Sequence, residues 1–164
     1  MFGLEKRVTI LDFIGFNGPL ILSGIACVLM FKKAGFLLTY FLFLGFSLFL
    51  SKIIKNVVKE PRPTRPLPYF TNESHLYSNE EMFGMPSAHA TLAAFSVAYF
   101  YLYLGKWTDP LFIISTIIYA LTLYQRWKYR RHTVVQLIVG TILGLTVGAI
   151  GYFFNTNKFL KINK

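Results

Sequence analysis

The stretch Gly84-Met85-Pro86-Ser87-Ala88-His89 stands where a polar, charged segment gives way to a long apolar run beginning at Ala90. Gly84 and Pro86 punctuate it, and Pro86 falls near a first helical position, where its missing N–H is not needed. Ser87 reads as an N-cap or first-turn residue with a free hydroxyl. Backbone N–H groups at a helix start lack intrahelical partners, and the helix dipole there favours an anion. A phosphate group suits this place, with Ser87 and His89 in reach. The same residues also fit an ordinary capped helix start with one interfacial histidine, and alone they leave the two readings level.

The surrounding chain decides the setting. Of its 164 residues 54% are hydrophobic and 18% aromatic, and the mean hydropathy is +0.49. This is more apolar than an ordinary soluble domain. The apolar residues form runs long enough to cross a bilayer, so the chain reads as an all-α, polytopic membrane helix bundle. The formal net charge of +10 points, in such a protein, to interfacial anchoring and a phosphate-bearing ligand rather than to nucleic acid. Part of the Lys and Arg is explained by flanking anchors alone. Cys27 is the sole cysteine, which excludes an internal disulfide and a zinc cluster. With no tandem repeat and no sign of a second domain, residues 1–164 read as one integral membrane domain with its motifs in 52–140.

About five membrane helices follow. Ile10 to Phe31 is the first, weakened by Gly15, Asn17, Gly18 and Pro19, so that its membrane part starts near Pro19 and Asp12 lies at the interface. A cleaved signal peptide is not expected, because Lys32-Lys33 rather than a small-residue site follows the run. Ala34 to about Val58 is the second and ends in a basic stripe of Lys52, Lys55 and Lys59, a pattern that snorkelling lysines also give. Pro61, Pro63, Pro66 and Pro68 then impose an extended segment. A polar loop to about Phe83 contains His75, read as solvated, and the short sequon Asn72-Glu73-Ser74.

Ala88 to Leu104 is the third helix, whose Ala90, Ala93, Ala94 and Ala98 permit close packing. Tyr99, Tyr101 and Tyr103 read as an aromatic belt. Pro110 to about Tyr124 is the fourth, followed by the basic run Gln125-Arg126-Trp127-Lys128-Tyr129-Arg130-Arg131-His132. Thr133 to Phe154 is the fifth, with a polar, basic tail after it. Gly140, Gly144 and Gly148 form a seam in it for another helix, within the chain or in a homo-oligomer. Crossing twice between His89 and Arg126 returns the chain to one membrane face. Lys55, Arg62, Ser87, His89, Arg126 and His132 can therefore converge there, with the amino terminus beside them and Lys32, Lys106 and the tail opposite.

Three pieces then line up: Lys55 with Arg62-Pro63, Pro86-Ser87-Ala88-His89, and Arg126 with His132. In this order and on one face, they resemble the type 2 phosphatidic acid phosphatase (PAP2) superfamily. Lys55-Asn56-Val57-Val58-Lys59-Glu60-Pro61-Arg62-Pro63, Gly84-Met85-Pro86-Ser87 and His132-Thr133-Val134-Val135-Gln136 look most like dolichyl diphosphatases. Those enzymes hydrolyse dolichyl diphosphate to dolichyl phosphate in the endoplasmic reticulum, with a lumenal site. The resemblance implies His132 as nucleophile, forming a phosphohistidine, and His89 as the acid for the leaving oxygen. It implies hydrolysis without a metal or other cofactor.

The residue types suit that chemistry. Arg62 and Arg126 can bind phosphate oxygens bidentately, Lys55 adds a point charge, and Ser87 completes the cradle. Such donors favour the transition state when aimed at its equatorial oxygens. Lys128, Arg130 and Arg131 can attract lipid headgroups or a second phosphate, or serve as plain anchors. Three positions depart from the superfamily pattern: Ala88 replaces Gly, Gln125 replaces Ser, and Gln136 stands four residues after His132, where Asp is usual. Gln136 still faces His132 and can fix its tautomer, but it brings no negative charge.

The expected function is hydrolysis of a polyprenyl diphosphate drawn from the membrane lipids. Phosphatidate or another lipid phosphate is the alternative substrate, and a non-catalytic lipid-phosphate binder or transporter the alternative class. The charge pattern leaves orientation near a tie. The resemblance places the site in the lumen of the endoplasmic reticulum in a eukaryote and on the extracytoplasmic side otherwise.

Overall fold

The computed structural model describes residues 8–64, 67 and 82–162, with side chains of the last helix described up to Thr156. Among these residues lie α1 (Ile10–Phe16), α2 (Gly18–Leu29), α3 (Ala34–Val58), α4 (Ala88–Leu104), α5 (Pro110–Lys128) and α6 (Val134–Ile162). Pro61 and Phe83 add an isolated antiparallel bridge. The architecture is the expected all-α membrane bundle. The 25 residues of α3 span about 37 Å, more than the roughly 30 Å of a bilayer core. Leu38, Leu42, Phe46, Phe49 and Ile53 on α3 are all at least 43% exposed, an outward apolar stripe that water would not tolerate and lipid tails do.

The helix limits differ from expectation where local chemistry intervenes. The first predicted helix is two, because α1 ends at Asn17 and Pro19 cannot continue its hydrogen-bond ladder; α1 and α2 meet at a 71° bend. The basic run after Tyr124 is helical through Lys128, and the presumed tail after Asn155 is helix as far as Ile162. By length and composition α3 and residues 134–156 of α6 cross a membrane alone, and α1 with α2 makes a third span only as a bent pair. α4 is apolar but only 17 residues long, and α5 is the less apolar helix; both turn hydroxyls inward, with Thr91, Ser96, Ser115 and Thr122 buried. Arg65, Asn72 and His75 lie outside the described residues.

Asp12, expected at the interface, is only 1% exposed. Thr9 and Asp12 form a capping box at the start of α1, and both Asp12 carboxylate oxygens accept from Lys128 Nζ at 2.6 Å. This ion pair fastens α1 across the end of α5. A buried core of Tyr40, Phe95, Tyr99 and Phe100 joins α3 to α4, with ring centroids 5.3, 5.4 and 5.8 Å from Tyr40. Tyr99 therefore does not belong to an interfacial belt. Its hydroxyl donates to the Phe36 carbonyl at 2.9 Å and lies 2.8 Å from Thr39 Oγ1, which accepts from Asn155 Nδ2 at 3.1 Å. These bonds tie α3, α4 and α6 together at one end of the bundle.

α4 and α6 form the most extensive helix pair. The glycine seam lies here: a Cβ on Gly140 would come 2.7 Å from the Ser87 carbonyl, and one on Gly148 would come 2.6 Å from the Phe95 carbonyl. The seam is thus filled by α4 of the same chain, the first of its two expected partners, and offers no face for the homo-oligomer that was the other. Small residues let the two backbones touch, which matters in lipid, where apolar burial alone gives helices no reason to associate.

Gly144→Val is expected to lower stability by about 1–3 kcal/mol or more, because the added atoms meet backbone that cannot yield. Thermal melting in detergent reads this. Gly45→Val, whose Cβ meets nothing within 4 Å, is expected to melt close to the parent protein.

Candidate active site

The three sequence motifs meet at the end of the bundle opposite the Thr39–Tyr99–Asn155 cluster. α3 stops at Lys59, whose left-handed φ of 50° turns the chain into an extended segment. That segment is pinned to the chain preceding α4: Gly84 N–H donates to the Glu60 carbonyl at 2.8 Å and Arg62 N–H to the Met82 carbonyl at 3.1 Å. The prolines that forbid helix here leave an edge that pairs with the Ser87 segment. Of the expected basic stripe, Lys55 turns inward and is half-buried, while Lys52 and Lys59 stay exposed.

Ser87 is the N-cap of α4 and fully buried; its Oγ accepts from Ala90 N–H at 3.4 Å. Its acceptor role is thus taken up by the helix, and its hydroxyl proton remains available to donate. His89 lies in the first turn, its ring 6.1 Å from that of Phe16. Arg126 lies in the last turn of α5 at 6% exposure, with its guanidinium carbon 4.8 Å from the Phe16 ring centroid. The chain then reverses through Arg130, at φ 52°, as Arg131 N–H returns to the Arg126 carbonyl at 2.9 Å. This tight turn delivers His132, 4% exposed, against Arg62, whose Nη1 is 3.4 Å from both His132 Nε2 and the Arg131 carbonyl. His89 lies within electrostatic range of Arg126, His132, Arg62 and Lys55. All seven sequence-predicted residues are therefore brought to one place.

The tautomer of His132 follows from the hydrogen bonds made by Gln136. Gln136 makes a reciprocal capping box with Thr133: Gln136 N–H donates to Thr133 Oγ1 at 3.2 Å, and Gln136 Oε1 accepts from Thr133 N–H at 3.3 Å. Gln136 Nε2 donates to the Pro61 carbonyl at 2.9 Å and to Glu60 Oε1 at 3.0 Å. A backbone N–H only donates and a carbonyl only accepts, so the amide has one consistent orientation, with Oε1 towards His132. His132 Nδ1, 3.1 Å from that oxygen, must then carry the proton. Nε2 keeps its lone pair and points it towards Arg62.

Burial, then the Arg62 charge, and after it Arg126 and Lys55, hold the His132 imidazole well below its usual 6.5, at about 3, against the opposing pull of Gln136. The ring is neutral at any ordinary pH. Beside it opens a cavity of about 420 Å³ lined by Pro63, Thr64, Trp127 and Arg130 as well as His132. Two contributors escaped the sequence reading. Phe16 comes from the amino-terminal helix and carries no motif. Glu60 sits inside the quoted Lys55-to-Pro63 stretch, but a lone carboxylate among lysines reads as solvated. The Thr133-x-x-Gln136 spacing was a legible signal of a capping box.

A membrane-embedded helical bundle whose buried cationic pocket holds a histidine with its Nε2 lone pair turned towards an arginine is the architecture of a phosphate-handling membrane protein. A family model described as "PAP2 superfamily" matches residues 36–159, and the chain belongs to that superfamily. Among solved structures it is similar to a transmembrane PAP2-type phosphatidylglycerolphosphate phosphatase from Bacillus subtilis. The TM-score is 0.65 and the identity 25%, over 93% of this chain and 76% of that one. No curated protein sequence gives a significant match.

Two outcomes are expected from this geometry. A Cβ on Gly84 would come 2.6 Å from Gln136 Cδ, the mobile end of a side chain. Gly84→Ala should therefore displace that buried amide from its four partners, lowering turnover about 10–100-fold and lowering the melting temperature as well. The second outcome concerns pH. The folded value of about 3 for His132 lies below the unfolded 6.5, so the unfolded state takes up the proton first on acidification. Stability from this group is intact above pH 6.5 and declines from there towards pH 3. Melting in detergent across that window should show a smaller fall for His132→Asn than for the parent.

Proposed function

We propose that the protein hydrolyses a lipid phosphate at one membrane face through a phosphohistidine on His132, with a polyprenyl diphosphate as substrate. The observation that carries the reading is the lone pair of His132 Nε2, held by its protonated Nδ1 and facing Arg62 in a buried cationic site. Lys55, Arg62, Ser87 and Arg126 hold the phosphoryl oxygens. Burial and the surrounding cations keep His89 neutral until substrate binds, and it takes a proton once the phosphate's negative charge offsets them. His132 Nε2 attacks phosphorus as the bond to the leaving oxygen breaks, and His89 gives that oxygen its proton. Water then attacks the phosphohistidine, returning a proton to His89, and inorganic phosphate leaves. The donors are cationic or N–H and O–H groups, chemistry suited to a phosphate and independent of a metal.

The motif spellings around Glu60, Gly84 and Gln136 favour dolichyl diphosphate in a eukaryote, with the site facing the lumen of the endoplasmic reticulum. They favour an extracytoplasmic site elsewhere. The phosphatidylglycerolphosphate named for the similar solved structure supports a second reading, a lipid phosphomonoester.

Purified protein in detergent, with EDTA present, is offered dolichyl diphosphate, phosphatidylglycerolphosphate and phosphatidate. Release of phosphate chiefly from the diphosphate, reduced about 10³-fold or more in His132→Ala, is the expected result. Faster release from a monoester moves the substrate to the second reading. A folded protein that releases phosphate from none of them is a binder or transporter.

A further inference from the structure

We infer that Glu60 is a positioning residue for His132, and that Glu60 and Gln136 together stand in for the Asp usual in the superfamily. The inference rests on the phosphohistidine reading above. An Asp at position 136 would accept the Nδ1 proton and supply negative charge from one side chain. Here these two tasks are divided. Gln136, fully buried, accepts from His132 Nδ1 through Oε1. Its Nε2 meets Glu60 Oε1 at 3.0 Å, so the Glu60 carboxylate is one amide away from the ring. Attack by Nε2 puts positive charge on the imidazole, and that charge is felt at Nδ1–H. Glu60 both fixes the amide orientation and faces the developing charge through a polarised hydrogen-bond chain.

The geometry that holds Glu60 is specific. Its carbonyl takes the Gly84 N–H, the neighbouring Pro61 carbonyl takes the second Gln136 donor, and Gly84 leaves just enough room for the amide to lie between them. The absent Asp is therefore no sign of an inactive site. The carboxylate enters from the first motif instead of the third.

The test is a double-mutant cycle on the full-length protein, with phosphate release read as kcat and KM. Glu60→Gln keeps an acceptor for the amide and removes the charge. It is expected to lower kcat about 10–100-fold, with KM changed much less. Glu60→Ala is expected to fall at least as far. Gln136→Asp restores a directly bonded carboxylate, and in that background removing Glu60 should no longer lower kcat and should raise it, because two facing carboxylates are separated. Wild-type turnover in Glu60→Gln, or an equal loss from Glu60→Ala in both backgrounds, overturns the inference. His132→Ala is measured alongside: full activity there defeats the phosphohistidine reading itself, whereas an inactive His132→Ala with an unaffected Glu60→Gln defeats only the role of Glu60. Melting curves confirm that each variant is folded, and the isosteric Glu60→Gln keeps the cycle decisive where the alanine variant does not fold.

Discussion

The contact between α4 and α6 is the constraint on which the site depends. In lipid, helices gain little from hiding apolar surface, so close association needs short backbone distances and hydrogen bonds. Gly140, Gly144 and Gly148 supply the first by removing every Cβ from the line where α6 meets α4. The Thr39, Tyr99 and Asn155 hydroxyl and amide groups supply the second at the far end. At the near end the seam closes on the Ser87 carbonyl, and Ser87 N–H reaches the Gln136 carbonyl at 3.1 Å. Residues from two motifs distant in sequence are thereby set side by side with little freedom to drift.

Gln136 gathers what the seam brings near. Its backbone touches the second motif, and its side chain touches the first through Glu60 and Pro61 and the third through His132 and Thr133. Thr133, Pro61 and Glu60 accept only one orientation of the amide, so a helix-capping residue also sets which nitrogen of His132 is nucleophilic. One side chain thus links a local requirement of α6 to the chemistry of the pocket.

The electrostatics of the pocket favour an anionic ligand. Burial first, and then the charges of Arg62, Arg126 and Lys55, keep His132 neutral. A phosphate entering this field meets preorganised donors and relieves their repulsion, which is the arrangement that stabilises a charge-bearing transition state. Phe16 covers Arg126 from the amino-terminal side, on a short helix fastened by the buried Asp12–Lys128 pair. Such a pair adds little net stability against apolar replacements, but it specifies where α1 lies, and so where Phe16 meets Arg126.

Much of this was legible in the sequence because it is local. Apolar run lengths gave the helices, prolines gave the extended segment after α3, and parity of crossings put six cationic, hydroxyl and imidazole residues on one face. Gln136 was placed opposite His132 by helical spacing alone. The break at Asn17 was foreshadowed by Gly18 and Pro19, but its angle depends on α5. Other features depended on partners far along the chain. Glu60 is indistinguishable from a solvated carboxylate until an amide 76 positions away donates to it. Asp12 reads as interfacial until Lys128, 116 residues distant, reaches it. Tyr99 reads as a belt residue until it finds a carbonyl on α3, and the glycine seam has no partner until α4 fills it. The sequence by itself determined which helices form and which chemical groups share a membrane face, since these follow from periodicity and length. Only the tertiary structure decided which of those groups touch, because hydrogen-bond partnership across helices is set by packing distances that no local pattern encodes.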